Sequence, residues 1–295
     1  MRALVAGWFS FVRGEATAGD LLAKDTVCRW LEEAGWEFDV ALSPAFGGEG
    51  VDWRTVDPTR YEAVVFVCGP ARGEQISSLA RRFSGRRLVG LGVSVIEGSK
   101  ETELFDVLVP RDGPSGALPD LSFLATPRKP PVVGLILSHP QPEYGERATH
   151  EEVHERLLRI LHAEDLCILP LDTRVDPRSQ GFRTSGEVEA AISRMDAVVT
   201  TRLHGMVLAL KSGVPALAID PVRGGAKVGS QAAALGWSAL LLPEELDRKS
   251  LLENLKFCLS PEGRDAASRV RERAALLLET ARCRFLEALG RADAG

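Results

Sequence analysis

The sequence predicts an α/β protein of two Rossmann-like domains whose parallel sheets face one another across a cleft, a GT-B-like arrangement. Three observations predict it. Short apolar runs rich in β-branched residues alternate with stretches of helical spacing, the rhythm of parallel strands joined by crossover helices. At residues 125–131 (ATPRKPP) three prolines and a cationic pair interrupt that rhythm, which then restarts. The length, 295 residues, suits two α/β domains of ordinary size, each burying its own core.

The first domain, residues 1–127, opens with a strand at 1–7, a helix near 20–34 and a strand at 37–42. Residues 61–69 (YEAVVFVCG) are apolar after the first two, as expected of a central strand covered on both faces. A helix near 74–83, a strand at 86–92 and a short run at 105–109 complete it. The second domain, residues 128–295, reads as strands at 132–138, 166–171, 197–201 and 215–220, with helices at 149–162, 185–194 and 204–212 between them. Residues 261–291 carry Ala, Leu, Arg and Glu at helical spacing and predict one long C-terminal helix.

Composition narrows the function. The chain is 45% apolar and 26% charged, which disfavours disorder, collagen and coiled coil. A net charge of −5 offers no general attraction to nucleic acid or anionic membranes. The start, MRALVAGWFSF, is too short in its apolar part for a signal sequence, and no run approaches the roughly 18 residues of a membrane span. Cys28, Cys68, Cys167, Cys258 and Cys283 are scattered and show no CxxC spacing, so reduced thiols in a cytoplasmic protein are expected.

Parallel sheets present ligands to the turns after their strands. In residues 195–206 (MDAVVTTRLHGM) a short strand ends in two threonines and passes through Arg202 into a helix bearing His204 and Gly205. Uncapped helix amides hold anions, Arg adds a bidentate fork, and a histidine beside them can carry a proton. The other reading is an arginine paired to a carboxylate and a histidine capping the helix. The loop 220–229 (DPVRGGAKVG) follows another strand; Lys227 there is either a phosphate ligand or a solvated loop lysine. Asp20, after the loop 7–19, is either a helix N-cap or a carboxylate that takes a proton from a sugar hydroxyl.

These residues carry a resemblance. Residues 196–205 (DAVVTTRLHG), with Ala209-Leu210, Gly213-Val214-Pro215 and Lys227-Val228, resemble the signature of the polysaccharide pyruvyl transferases. Gly7-Trp8-Phe9 with Gly19-Asp20 is similar to that family's first loop, and Arg111-Asp112 with Ser115 to its Arg-Asp-x-x-Ser motif. These landmarks span roughly residues 1–240. The resemblance implies transfer of pyruvate from phosphoenolpyruvate onto two hydroxyls of a saccharide, free or linked to a nucleotide or lipid, with no other cofactor. It implies that Arg111, Arg202, His204 and Lys227 surround phosphoenolpyruvate, with Gly205 beside them. His204 would be the acid and Asp20 the base; the first domain would be the acceptor side, the second the donor side.

Three further patterns compete. His150-Glu151-Glu152-Val153-His154 matches the zinc-protease motif HExxH, but Thr149 and Glu152 read as a capping box that puts both histidines in exposed first turns, with no third ligand. Gly90-Leu91-Gly92 is half a dinucleotide fingerprint without its third glycine. Ser138-His139-Pro140 reads as a turn or as a sugar contact. The rival function is a GT-B glycosyltransferase gripping a nucleotide-sugar diphosphate with Arg202, His204 and Lys227.

Overall fold

The computed structural model describes residues 1–12, 15–46, 48–114, 116–176 and 181–292. The chain divides into two compact units, Met1–Arg128 and Lys129–Gly295, beside the expected boundary at 127/128. Ser115 of the Arg-Asp-x-x-Ser motif lies outside the described residues.

In the first unit β1 (Arg2–Gly7), β2 (Glu37–Val40), β3 (Ala63–Val67), β4 (Arg87–Ser94) and β5 (Val107–Asp112) form one parallel sheet in the order β2-β1-β3-β4-β5. Alternation along the central strands splits the apolar residues between two faces. Leu4, Ala6, Val64 and Phe66 pack with Ile76 and Leu79 of α2 (Glu74–Arg82), whereas Ala3, Val5, Val65 and Val67 pack with Ala23 and Val27 of α1 (Ala18–Glu33). Helices therefore cover both faces, which is why these strands read as unbroken apolar runs. Gly90 and Gly92, the half fingerprint, lie inside β4. A Cβ on Gly90 would stand 2.8 Å from Leu108 Cδ1, and Gly92 has φ +66° where the register of β4 on β5 shifts. Those glycines serve sheet packing and a bulge.

The second unit repeats the order. Strands β6 (Val132–Ile136), β7 (Cys167–Pro170), β8 (Ala197–Thr200), β9 (Ala216–Ile219) and β10 (Leu240–Leu241) run parallel as β7-β6-β8-β9-β10. Helices α3 (His150–Leu161), α4 (Ser185–Ile192), α5 (Leu203–Lys211) and α6 (Lys227–Leu235) connect them, followed by α7 (Arg248–Cys258) and the long α8 (Pro261–Ala292). Counted from its own first strand, each unit has the order 2-1-3-4-5. In such a sheet the chain winds outward in opposite directions from the first and third strands. A crevice opens between their carboxyl ends.

Packing explains why α5 starts and stops where it does. Thr200 Oγ1 donates to Ile136 O (2.8 Å) and accepts from Arg202 N–H (3.0 Å), fixing the turn out of β8. Met206, Ala209 and Leu210 are buried against β8 and β9, each large side chain contributing about 1.5–3 kcal/mol. At the other end Gly213 adopts φ +73°, and Val214 N–H donates to Ala209 O (2.9 Å), closing the helix in a Schellman turn. Among the described residues no helix is long and apolar enough to cross a membrane, and the five cysteines are free thiols.

Candidate functional site

A cavity of about 440 Å³ opens in the second unit where the carboxyl ends of β6, β7 and β8 meet, the place the strand order marks. Ser138 and His139 line it after β6, Thr173 and Arg174 after β7, Thr201, Arg202 and His204 after β8, and Lys227 at the start of α6. The sequence-predicted Arg202, His204 and Lys227 are thus brought together. Gly205 is not on the cavity wall: its α-carbon packs inward, where a Cβ would stand 2.3 Å from Thr200 Oγ1.

Arg202 is largely buried and aimed. One nitrogen, Nη1, donates to Asp172 Oδ1 (2.9 Å) and Thr173 Oγ1 (3.1 Å). The carboxylate holds the guanidinium in one orientation, while Nη2 donates to nothing among the described residues. Arg174 is held similarly by Asp176 (2.7 and 2.8 Å), and its Nη1 lies 3.1 Å from His139 Nε2. Arginine can only donate, so His139 Nε2 is the acceptor and its proton sits on Nδ1. Lys227 and His204 are exposed and make no side-chain hydrogen bond among the described residues. Among the described residues no side chain caps α5, so its first amides are open toward the cavity beside His204.

The α6 start differs. Buried Asp220 accepts from Ala226 N–H (2.6 Å) and Gly229 N–H (2.8 Å) through Oδ2 and from Val222 N–H (3.3 Å) through Oδ1. This carboxylate ties the glycine loop to the helix and so positions Lys227. Arg147 clamps the same loop, donating to Arg223 O (3.0 and 2.9 Å) and Gly225 O (2.8 Å).

Behind the cavity wall lies a polar chain that the sequence reading missed. Thr201 Oγ1 accepts from Ser138 N–H (2.8 Å) and lies 3.1 Å from Ser138 Oγ and 3.0 Å from His154 Nε2. Burial, and more weakly the neighbouring His150 and His139, push His154 down to about 4, so it is neutral near pH 7. The HExxH expectation of two exposed histidines is therefore wrong. His150 is 3% exposed, its two ring nitrogens have no hydrogen-bond partner among the described residues, and burial lowers its pKa as well. Thr149 does not form the expected capping box. Its N–H (2.9 Å) and Oγ1 (3.0 Å) both donate to Pro221 O, which folds the 220–225 loop over the first turn of α3. His150 and His154 meet edge to face at 6.3 Å.

The remaining expected residues belong to the first unit. Asp20 is not an N-cap: Thr17 takes that position, and Asp20, in the first turn of α1, accepts from Thr17 N–H (2.7 Å) and Oγ1 (2.8 Å) through Oδ2. Among the described residues Oδ1 has no partner. Arg111, on β5, donates to Asp120 (2.8 Å), Asp112 (3.1 Å) and Ser94 Oγ (2.8 Å). Asp120 first and then Asp112 hold its pKa above the ordinary value. Cys68, after β3, adopts φ +59°, and burial pushes its thiol to about 12, with the carboxylates of Asp120 and Asp20 adding to the shift.

The missed residues carried a signal. Asp172 and Arg174 directly follow β7, and Asp220 directly follows β9, so the rule that pointed to Arg202 points to them too. Comparisons with known proteins complete the description. No curated protein matches the sequence. Among solved structures, a kitacinnamycin glycotransferase shares 13% identity over 95% of this chain and 98% of its own, with a TM-score of 0.34. The glycosyltransferase SnogD from Streptomyces nogalater shares 14% over 92% and 95%, at 0.33. A UDP-GlcNAc 2-epimerase from Methanocaldococcus jannaschii shares 9% over 95% and 99%, at 0.33. The stretch that contains β6 to β9, Ser138, Arg202 and His204, residues 118–221, matches the family model of the polysaccharide pyruvyl transferases, which indicates a transferase enzyme.

Proposed function

We propose that the chain is a cytoplasmic pyruvyltransferase that moves pyruvate from phosphoenolpyruvate onto two hydroxyls of a saccharide and releases phosphate. The observation that carries this is the convergence of Arg174, Arg202, Lys227 and the open start of α5 on one cavity beside exposed His204. Phosphoenolpyruvate has two anionic groups, and its carboxylate and phosphate suit a guanidinium fork and uncapped helix amides. For the first unit we propose Arg111 as a further anion ligand and Asp20 as a base, through an oxygen that bonds nothing among the described residues.

The chemistry follows from these roles. His204 donates a proton to the methylene carbon, which becomes a methyl group, and the adjacent carbon becomes electrophilic. One sugar hydroxyl oxygen attacks that carbon while its proton passes to a base. A second hydroxyl then forms the other C–O bond as the C–O bond to phosphate breaks. Of the two hydroxyl protons, one in net ends on the methyl carbon and the other on phosphate. The reaction balances without a metal or a cofactor beyond phosphoenolpyruvate. The acceptor is a saccharide, free or carried on a nucleotide or lipid.

Isothermal titration with phosphoenolpyruvate tests the donor. Wild type should bind it, and Arg202→Ala should weaken binding by the roughly 1.5–3 kcal/mol of a charged hydrogen bond, about 10- to 150-fold in Kd. Binding of UDP-sugars with none of phosphoenolpyruvate would replace this reading with a nucleotide-sugar glycosyltransferase.

A further inference from the structure

The first unit holds a second pocket, of about 320 Å³, at the place in its sheet that matches the second unit's cavity. Ser10, Phe11 and Val12 line it just after β1, Trp53 and Arg54 in the segment after β2, and Gln75 in the first turn of α2 after β3. The second unit's cavity is likewise built from the segments after its own first three strands, with the start of α6 added. Two sheets of one strand order thus open a crevice at the same switch point. The size lies within the roughly 300–1,000 Å³ of small-molecule sites.

Their linings differ in kind. In place of the cationic groups around Arg202, the first pocket presents Trp53 and Phe11, edge to face at 5.9 Å, with Trp53 only partly buried. Its one cation among the described residues is neutralised locally, because Arg54 Nε and Nη2 donate to Asp52 (2.9 and 2.7 Å). Ser10 Oγ donates to Ala41 O and accepts from Gly7 N–H, so it is engaged within the fold. Two polar groups remain for a ligand: the Gln75 side-chain amide, which bonds nothing among the described residues, and Arg54 Nη1. An apolar ring face beside an amide that both donates and accepts suits a molecule that is apolar on its C–H face, rich in hydroxyls at its rim and uncharged.

We infer that this pocket binds a neutral pyranose ring, the ring lying against Trp53 with its hydroxyls on Gln75 and Arg54. Resting on the proposed function, it is the subsite for a sugar of the saccharide acceptor. The class is a neutral hexose, because among the described residues nothing in the lining offers an uncompensated charge to a uronic acid or a phosphate.

Saturation-transfer NMR on the full chain, with methyl β-glucopyranoside, methyl β-galactopyranoside and methyl α-mannopyranoside as probes, tests this. Ring-proton transfer to at least one hexoside is expected. It should fall at least fivefold in both Trp53→Ala and Gln75→Ala and persist in Trp53→Phe, which keeps an aromatic face. Because Trp53 packs on Phe11, the Gln75 variant, altered at a partly exposed helix start, separates loss of the site from loss of the fold. No transfer to any hexoside, or transfer undiminished in Gln75→Ala, overturns the inference. Phosphoenolpyruvate titration of the same variants keeps the two readings apart. Hexoside binding without phosphoenolpyruvate binding leaves a sugar site and removes the pyruvyl donor, and the reverse leaves the donor and removes this subsite.

Discussion

Thr201 shows how one side chain links the cavity to the buried layer behind it. Its hydroxyl is held by Ser138 N–H and faces both Ser138 Oγ and His154 Nε2, so the His154 tautomer decides which way the Ser138 proton points. His154 also makes stability depend on pH. Above about pH 6.5 its ring is neutral in both the folded and unfolded chain. Between there and about 4 the unfolded chain binds a proton that the folded chain refuses, so stability falls as pH falls, and below about 4 the loss is complete. His150, also lowered by burial, acts in the same direction. The midpoint of urea unfolding should therefore drop between pH 7 and pH 5, and drop less in His154→Gln; equal drops would assign the effect elsewhere. Arg202 and His204 were legible because they stand next to a strand and a helix in sequence. Thr201's partners were not, since Ser138 and His154 are 63 and 47 residues away.

Elements with local signals were read closely: a strand at 197–201 is Ala197–Thr200, and a helix at 204–212 is Leu203–Lys211. Helix α6 went unread because its own first residues supply no cap; Asp220 reaches its amides from the end of the preceding strand. Strand β10, two leucines long, has no period to detect. Helix α7 was different, since Asp247 accepts from Ser250 N–H and Leu251 and Leu255 recur at helical spacing, a signal present but unused. The packing of α5 on β8 and β6 gives Gly205 a structural duty that sequence alone could not separate from ligand contact. An alanine there would bring a Cβ within 2.3 Å of Thr200 Oγ1 and 3.0 Å of Ile136 Cγ2. Gly205→Ala should cost about 1–3 kcal/mol through overpacking, read as a lowered Tm; an unchanged Tm would show that the turn relaxes freely.

The likeness of the two units in strand order was invisible in the sequence, which carries no internal repeat, because order is set by which strands pair across the sheet and many sequences satisfy the same pairing. The division itself was legible from the proline-rich segment at 125–131. Each apolar cluster stays within one unit, so each unit has its own cooperative core. Calorimetry should accordingly resolve two transitions, with phosphoenolpyruvate raising the one that belongs to the second unit; a single transition raised as a whole would mean that the units unfold together. The second unit's cavity also borders two helix starts that are not equivalent. Among the described residues the first amides of α5 are open, whereas α6 already carries the carboxylate of Asp220. In the proposed reaction a flat donor with two unlike anionic ends would meet a keyed socket and settle in one orientation. One face of its double bond would then be turned toward His204 and the other away. For the proposed reaction, the stereochemical consequence is a new ketal carbon formed in a single configuration, so the product would be one diastereomer and not a mixture.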